Sequence, residues 1–481
     1  MPSKMSIKRI QLLSVIIFMA ISGMLFSSCS EKSTGGMIIL TRVAGKLQGA
    51  NYATGDNWRY IAKSQLVAID SEKPSGDVKV LTADFFSAHS PQISYDGKFM
   101  LFAAQQKQGD KWKIWEMNLG NFKSRLVTSS EENCIDPAYL PGGRLVFSKS
   151  VLNDPLKGGH SLYTCNSDGS GITRITFNPH TYFASKVLAD GRVLAIDRQL
   201  YTGQGSSLLM VLRPDGTKSE LFYKGAGATA LTSGVVETAA GRILFIESDK
   251  DIPQKGNLIS ISYNRPLHSR VDLGSECKGD FRAVSLYQSG KLLVSYRKSE
   301  ADRYGLYEFD PEKKVPGKAI WCNTEFDVLE AVVVSEHERP KKLPSEVDMG
   351  VKTGQILCQD INLTDLEPAV GKALLEKSYR IEVMGIDSLL GVVQTEVDGS
   401  FYLKVVADKP FQIRKIDKDG NIVNGPCGWM WVRPNERRGC IGCHEDHELV
   451  PENRIPLSVK KLPVAVPVHT NKVIEKKVTL E

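Results

Sequence analysis

The residues best suited to chemistry lie near the carboxyl end, in the motif Cys440-Ile441-Gly442-Cys443-His444. Cys-x-x-Cys-His is the attachment signal of c-type haem: two thiols add across the porphyrin vinyl groups, and the adjacent histidine is placed to bind the iron. Two intervening residues let both sulfur atoms reach one edge of the flat ring. The same side chains also suit a zinc site or a disulfide. The motif predicts one covalent haem c, with Cys440, Cys443 and His444 as its binding residues.

Further side chains near the motif are candidates for the surroundings of this haem. We expect a second iron ligand from His447, Glu448 or Met430, and the choice stays open because ligands also come from distant loops. Trp429 and Trp431 are predicted to wall a haem pocket. The alternative is that both tryptophans belong to the core of the preceding domain.

The amino terminus carries an export signal. Basic residues at positions 4, 8 and 9 precede an apolar stretch at 10–26, about as long as a signal-peptide core. The stretch ends in Phe26-Ser-Ser-Cys29, which resembles a bacterial lipobox except at Phe26. We expect residues 1–28 to be a cleaved lipoprotein signal peptide and Cys29 to carry the lipid. An uncleaved anchor helix is the alternative. Either way the protein is exported and membrane-anchored, at the periplasmic face or the cell surface.

Composition restricts the class of protein. The chain has 481 residues, of which 42% are hydrophobic and 24% charged, as in ordinary globular proteins of two or three domains. A net charge of +6, spread along the chain, argues against a nucleic-acid partner. Of nine cysteines, six remain after the lipid and haem cysteines are set aside, and their pairing cannot be assigned. No hydrolase or phosphate-binding-loop motif is present.

The middle of the chain is a repeat with a period near 48 residues. Each unit has a glycine turn followed by a hydrophobic strand, a pattern typical of β-hairpins. The predicted fold class is therefore all-β, with a six-bladed β-propeller at 37–340. A pair of β-sandwiches is the alternative. The stretch Ser90-Pro-Gln-Ile-Ser-Tyr-Asp-Gly-Lys98 resembles the repeat of TolB-type propellers. The turn glycines are Gly97, Gly143, Gly191, Gly241 and Gly290.

The sixth unit lacks its last strand. A strand-like run at 331–335 is followed by a turn, but the next residues do not read as a strand. At the other end of the propeller, Met37-Ile-Ile-Leu-Thr-Arg42 resembles the missing strand. We predict that residues 37–42 pair into blade six and close the ring, which removes an open sheet edge.

Four side chains occupy comparable loops in separate repeat units: His89, Cys134, His180 and Cys277. Comparable loops lie at the same end of a propeller, so these side chains are predicted to converge near the central channel. Their chemistry suits zinc or the edge of a haem. The alternative is that they are separate polar loop residues that never meet.

After a polar linker the pattern is again β. Strand-like alternation and two Asp-Gly turns predict a small β-sandwich-like domain at 350–425. Residues 426–465 form the haem-attachment segment that ends this domain. The chain after Val450 is rich in proline, valine and lysine, and residues 466–481 are predicted to be an extended tail.

Several short stretches of this third region match a known pattern. Together they resemble the middle domain of the hydrazine synthase alpha subunit and its relatives, in which a six-bladed propeller precedes a β-rich domain ending in Cys-x-x-Cys-His-Glu. The order here is the same, so the resemblance covers roughly 37–465. The matching stretches are Asp398-Gly-Ser-Phe-Tyr, Ala407-Asp-Lys-Pro, Asp417-Lys-Asp-Gly420, Trp431-Val-Arg-Pro-Asn-Glu436 and Arg438-Gly-Cys-Ile-Gly-Cys-His-Glu445.

Two departures limit what the resemblance implies. The synthase subunit continues into a domain with a second c-type haem, whereas this sequence has no second Cys-x-x-Cys-His. In that family the motif histidine binds zinc and a tyrosine four residues later binds the iron, but Glu448 occupies that position here. The resemblance therefore implies His444 or His447 as the iron ligand, and it does not imply hydrazine synthesis by this protein.

Two functions from different classes remain. The first is a haem lipoprotein for electron transfer, with a redox partner protein, or for small-molecule redox chemistry as a haem-dependent oxidoreductase. The second is a non-redox surface propeller that binds a protein or glycan, in which the cysteine cluster holds zinc or a disulfide.

Overall fold

The computed structural model confirms the all-β class. Within the part of the chain that it describes, the helices are two short 3-10 turns, Gln288–Gly290 and Leu457–Lys460. Neither they nor any other helix in that part is long and apolar enough to cross a membrane. The described residues are 36–47, 59–74, 78–151, 159–201, 206–227, 229–249, 252–363, 380–442 and 453–467.

The first half of the propeller consists of antiparallel sheets whose strands follow one another in the chain. Short glycine turns join the first two strands of each sheet, so each blade is a local meander. The strands that precede blade one are β1 (Met37–Ala44), β2 (Ser64–Asp70) and β3 (Lys79–Val80). Blade one is β4 (Ser87–Ile93), β5 (Phe99–Gln105), β6 (Lys113–Asn118) and β7 (Ser124–Leu126). Blade two is β8 (Cys134–Leu140), β9 (Arg144–Ser150), β10 (His160–Asn166) and β11 (Thr173–Arg174).

The second half repeats this plan, except that the inner strand of blade four is divided into two short strands that both pair with the same neighbour. Blade three is β12 (His180–Val187), β13 (Val193–Gln199), β14 (Ser207–Leu212) and β15 (Glu220–Tyr223). Blade four is β16 (Thr229–Leu231), β17 (Val236–Glu237), β18 (Arg242–Asp249), β19 (Ile252–Ser262) and β20 (Val271–Asp272). Blade five is β21 (Asp280–Leu286), β22 (Leu292–Arg297), β23 (Gly305–Asp310) and β24 (Val315–Trp321), and β25 (Phe326–Val333) follows.

Blade six joins the two ends of the propeller. Its strand order is β25, β1, β2 and β3, so the inner strand comes from the end of the repeat and the other three from its beginning. β1 pairs antiparallel with both β25 and β2. Its side chains Ile38, Ile39 and Leu40 are fully buried. The predicted closure of the ring by residues 37–42 is confirmed.

The five predicted turn glycines all have a positive φ, between 68° and 91°. Left-handed backbone of this kind is what glycine allows without steric penalty. At Gly191 space is limiting as well, because a Cβ atom there would collide with the carbonyl oxygen of Lys341 in the linker that follows the propeller. The turn of blade three therefore needs glycine for its backbone conformation and for its close contact with the linker.

The second domain is a sandwich of two four-stranded sheets. One sheet has the order β32, β26, β29, β33, and the other has the order β28, β27, β30, β31. Alternate residues of both sheets point inward into one hydrophobic core that includes Ile356, Ile381 and Leu403. The strands are β26 (Thr353–Cys358), β27 (Arg380–Met384), β28 (Leu389–Gln394), β29 (Phe401–Val406), β30 (Gln412–Ile416), β31 (Ile422–Asn424), β32 (Arg437–Cys440) and β33 (Val464–Val466).

The sandwich extends beyond the predicted boundary at residue 425. β32 and β33 add to opposite edges of one sheet, each parallel to its neighbour. The haem-attachment segment is thus held at both ends by the sandwich rather than appended after it. Residues 468–481 of the predicted tail lie outside the described part of the chain.

Candidate functional site

The attachment motif continues directly from a fixed strand. Cys440 is the last residue of β32 and lies opposite Cys358 of β26 in the parallel register. Beyond the strand, the backbone N–H groups of Gln359 and Asp360 donate to the carbonyls of Cys440 (3.0 Å) and Ile441 (3.1 Å). These bonds extend the pairing past the strand end. The Cys440 side chain is half-buried at a sheet edge.

Gly442 brings the motif close to the strand-to-loop turn after β26. A Cβ atom at this position would overlap the carbonyl of Leu363, so only glycine fits here without a shift of the backbone. The described residues end at 442 on this side. Cys443, His444, His447 and Glu448 therefore lie outside them, as does the predicted lipid site Cys29.

The described residues next to the motif differ in how well they suit a haem pocket. Trp429 is 4% exposed, and its indole Nε1 has no hydrogen-bond partner within the described structure, although a buried indole N–H usually finds one. Cys440 is half-buried at the end of an edge strand. Cys440 and Met430 both pack partly against the sandwich core, and the Met430 backbone also pairs with Phe411. The role of Met430 as an iron ligand stays a prediction.

Trp431 belongs to neither of its predicted places. It is fully buried in a cluster of propeller side chains from blades two and three, among them Leu162, Tyr182 and Leu212. The prediction that it walls a haem pocket is therefore corrected, and so is the alternative that it is a core residue of the sandwich. Odd and even residues of an extended chain point to opposite sides, so Trp431 projects out of the sandwich while Val432 faces its core.

Polar groups after Trp431 complete the contact between the domains. Arg433 Nε donates to the Asp215 carbonyl (3.0 Å), and the Lys218 N–H donates to Glu436 Oε1 (2.8 Å). Arg438 Nη2 donates to Ser219 Oγ (3.1 Å). The propeller partners all lie in the turn between β14 and β15. The stretch Trp431–Arg438 thus fixes the sandwich on blade three, immediately before the haem motif.

Buried charges in this contact are compensated within it. Glu436 is fully buried and accepts from the backbone N–H of Arg433 (2.7 Å) and from Arg438 Nη2 (3.0 Å). Arg433 also pairs with Asp408 at 2.8 Å. Burial raises the pKa of Asp408 although the Arg433 guanidinium opposes the shift. Because each charge has a partner, removing one of them would leave another buried and unpaired.

The four side chains predicted to share a metal are not brought together. Three of them lie in inner strands rather than loops. His89 packs on Trp112, with 4.5 Å between ring centroids, and burial lowers its pKa well below the usual value. His180 Nδ1 lies 2.8 Å from Asp197 Oδ1.

The two cysteines of this set also have separate surroundings. Cys134 is buried near the Glu132 carbonyl, and burial raises the pKa of its thiol to about 11, which disfavours a metal-binding thiolate. Cys277 precedes β21 and its sulfur lies 3.5 Å from the Lys314 carbonyl. Within the described part of the chain, no three His, Cys, Asp or Glu side chains are grouped to hold a metal ion.

Comparison with known proteins tests the family resemblance. Residues 328–445 match the family model of the hydrazine synthase alpha subunit middle domain. The predicted hydrazine synthase alpha-like resemblance is confirmed. The match begins in β25, the inner strand of blade six, and ends at Glu445, directly after the Cys-x-x-Cys-His motif.

Two comparisons extend this hydrazine synthase alpha-like likeness along the chain. The chain is 22% identical to hydrazine synthase subunit alpha of Kuenenia stuttgartiensis, over 82% of its own length and 65% of that subunit. The solved Kuenenia stuttgartiensis hydrazine synthase superposes with a TM-score of 0.77 at 20% identity, over 89% of this chain and 71% of that one. At this identity the superposition establishes the shared fold. TolB from Acinetobacter baumannii is more distant, with a TM-score of 0.45 at 14% identity over 62% and 66% of the two chains.

The propeller also contains a site that was not predicted. Its inner strands line a central cavity of about 380 Å³. Six residues at equivalent inner positions, 46 to 50 apart, form one layer around it. The sequence could have revealed this layer. When its repeat units are aligned by their period near 48 residues, charged residues fall at equivalent positions. The layer consists of Ser90, Asp136, Ala184, Thr232, Arg282 and Glu330.

The backbone of this layer is unusual. Ser90, Asp136 and Ala184 have φ between 52° and 57°, and the register of pairing shifts at each of them. Such β-bulges turn individual groups toward a barrel or channel interior. As a result Asp136 Oδ2 accepts from the Ala184 N–H (2.7 Å), and Glu330 Oε1 accepts from the Ser90 N–H (2.7 Å).

Proposed function

We propose that this chain is an exported lipoprotein that carries one covalent c-type haem on Cys440 and Cys443, with His444 as the iron ligand. It serves in electron transfer or in redox chemistry on a small molecule, and not in hydrazine synthesis itself. The observation that carries the proposal is the Cys-x-x-Cys-His motif emerging from the half-exposed end of β32 at Cys440. The confirmed resemblance to a hydrazine synthase alpha middle domain, matched through residue 445, supports it.

The protein's own residues supply the support for such a group. β32 and the bonds from Gln359 and Asp360 hold the first thiol in a fixed place. Trp429 offers an apolar ring with an unused indole N–H. When bound, a haem supplies a reversible one-electron iron couple, or an open coordination position where a small molecule reacts. The propeller, on which the sandwich is fixed at blade three through Trp431, provides a docking surface for a redox partner protein.

Cleavage after residue 28 and lipid attachment at Cys29 would tether the protein to a membrane by a single anchor. The haem would be attached after export. It would be used on the side of the membrane that the protein faces, either the periplasm or the cell surface. The alternative function, a non-redox surface propeller with zinc or a disulfide at the cysteine cluster, makes a different spectroscopic prediction, so one experiment separates the two.

The test is an absorption spectrum of the full chain expressed with a c-type haem maturation system, beside a Cys440→Ala/Cys443→Ala double variant. We expect a Soret band that stays with the polypeptide after denaturation and is lost in the double variant. Cys322→Ala, an exposed thiol on the propeller, is the matched control and should keep the band. A colourless wild type that carries zinc would refute the haem and favour the surface binder.

Carbon monoxide then separates the two redox functions. A shift of the reduced spectrum indicates an open or displaceable iron position and favours small-molecule chemistry, whereas no shift favours electron transfer. Fractionation of the same cells tests the anchor: the parent should sediment with membranes, and Cys29→Ala should not.

A further inference from the structure

The central cavity of the propeller contains a cationic side chain without an anionic partner. Arg282, on the inner strand of blade five, is 6% exposed. Its Nε and Nη2 atoms are buried and make no hydrogen bond, and Arg282 forms no ion pair in the described structure. A buried guanidinium has five N–H donors and cannot lose its charge, so leaving it unpaired is costly.

The acidic groups of the same layer are already occupied by others. Asp136 forms a buried ion pair with Arg59 and accepts from Ser90 Oγ (2.9 Å) and from a backbone N–H. Glu330 accepts from the Ser90 N–H and from Thr41 Oγ1 (3.2 Å). Neither carboxylate forms an ion pair with Arg282 in the described structure. Burial lowers the pKa of Arg59 to about 10, and the nearby Arg282 charge adds to this effect.

A second cation, Lys186, lies in the same cavity two residues beyond the layer that contains Arg282. Lys186 is two residues beyond Ala184 on β12, so it projects into the cavity about 7 Å beyond this layer. Its Nζ makes only a long hydrogen bond to Gln92 Oε1 (3.4 Å) and no ion pair. Burial lowers the pKa of Lys186, while Glu237 opposes this shift. Glu237 itself accepts from the Ala189 N–H (2.7 Å), and burial raises its pKa.

The two ends of the cavity are lined by different groups. Arg59 occupies the end where the inner strands begin, in contact with Ser90 Oγ at 2.7 Å. At the opposite end the linker crosses the inner strands, with the His337 N–H bonded to the Tyr95 carbonyl (3.0 Å). The linker residues His337, Glu338 and Pro340 line the cavity at this end. A volume of about 380 Å³ suits a small molecule rather than a polymer.

We propose that the central channel binds one small oxygen-bearing anion, a carboxylate or an inorganic oxyanion, between Arg282 and Lys186. The guanidinium fork matches two oxygens of such a group, and the ammonium adds a point charge at the other side. Val284 and Val332 add apolar surface to the wall of the same cavity, and a low-polarity surrounding strengthens the attraction between opposite charges. The site does not depend on the haem proposal.

The test is isothermal titration of the full chain with sodium sulfate, nitrate, acetate and succinate, at constant ionic strength set with chloride. We expect saturable binding of one anion per chain from at least one of the two chemical classes. Arg282→Gln should weaken it at least about tenfold, since hydrogen bonds to charged groups contribute that much or more. Lys186→Gln should weaken it less, and most for sulfate and succinate, which carry two charges.

Arg125→Gln and Lys291→Gln are the matched controls, because both side chains lie on the propeller exterior in ion pairs and should leave binding unchanged. Binding should also persist in the Cys440→Ala/Cys443→Ala variant. If the titration heats are small, thermal melting serves as the second measurement. Without added anion, Arg282→Gln should have a melting temperature no lower than that of the parent, because the substitution removes an unpaired buried charge. Absence of saturable binding by any probe, or equal binding by Arg282→Gln, would overturn the proposal.

Discussion

The propeller and the sandwich solve the same problem, the open sheet edge, in opposite ways. The propeller has one long-range strand pairing, β1 with β25, and that pairing closes the ring. In the sandwich, both edge strands of one sheet, β32 and β33, come from chain segments that follow the hairpins of the domain. These two strands remain open edges. A closed ring favours rigidity, whereas an edge leaves side chains reachable. The Cys-x-x-Cys-His motif begins at the edge strand β32 of the sandwich, and the sandwich is fixed on blade three of the propeller.

Removing the closing strand should have the largest effect. Deletion of residues 37–42 takes out β1 pairings on both sides and three fully buried aliphatic side chains. Each such side chain contributes about 1.5–3 kcal/mol by burial, so the loss is comparable with the stability of a whole domain. We expect cooperative melting of the propeller, followed by calorimetry, to be lost.

Two point variants calibrate that result. Ile39→Ala should cost about 2–5 kcal/mol, whereas Leu126→Ala on the outermost strand β7, 40% exposed, should cost less than about 1 kcal/mol. A deletion variant with the melting temperature of the parent would show that the ring does not need its closing strand.

The contact between the two regions should rank second. Trp431→Ala empties a fully buried site between blades two and three, and we expect a loss of about 3–5 kcal/mol in denaturant unfolding. The two domains should then unfold in separate transitions, and protease should cut the linker at 341–348. Trp431→Phe is the control, since it keeps an aromatic ring and should lose less. A single unchanged transition in the alanine variant would mean that the domains are coupled elsewhere.

A smaller effect is expected from acid. The pKa of Asp215 is lowered from 3.8 despite burial, which acts to raise it, because Thr217, the Glu346 N–H and Ser345 donate to the carboxylate. A carboxyl whose folded pKa lies below its unfolded value stabilises the fold above the unfolded pKa and loses that contribution as pH falls through the folded pKa. Stability should therefore decline below about pH 4, partly through the contact of this turn with the linker.

Asp215→Asn tests this assignment. The variant should be less stable than the parent at pH 7, by about 1–2 kcal/mol, and the difference should shrink as the pH is lowered toward 3 in urea titrations. A difference that stays constant over that range would assign the acid sensitivity to other carboxylates.

The propeller was predictable because its information is local. Each turn glycine precedes its own strand, and the positive φ values at Gly97 through Gly290 agree with the turn chemistry read from the sequence. The closing strand was found by the same argument, as the one unit missing a strand. The cores of β27, β29 and β30 followed from alternation of apolar residues.

What the sequence did not provide is pairing between distant segments. Nothing in Arg437–Cys440 signals a parallel strand, because four residues carry too short a pattern to reveal a partner 82 residues earlier. The outward direction of Trp431 depends on where blade three lies, which no local pattern contains. Equivalent loops did not bring His89, Cys134, His180 and Cys277 together, since each side chain found a partner within its own surroundings.

The placement of β32 and β33 on opposite edges of one sheet has a consequence for how such proteins diversify. The chain between them, 441–463, must cross the width of four strands, about 14 Å, but its length is otherwise unconstrained by the sheet. Each doubling of the length of a loop adds only about 0.6 kcal/mol to the entropic free-energy cost of closing it. Insertions between these two strands are therefore expected to cost little folding stability while both sheets keep the same scaffold.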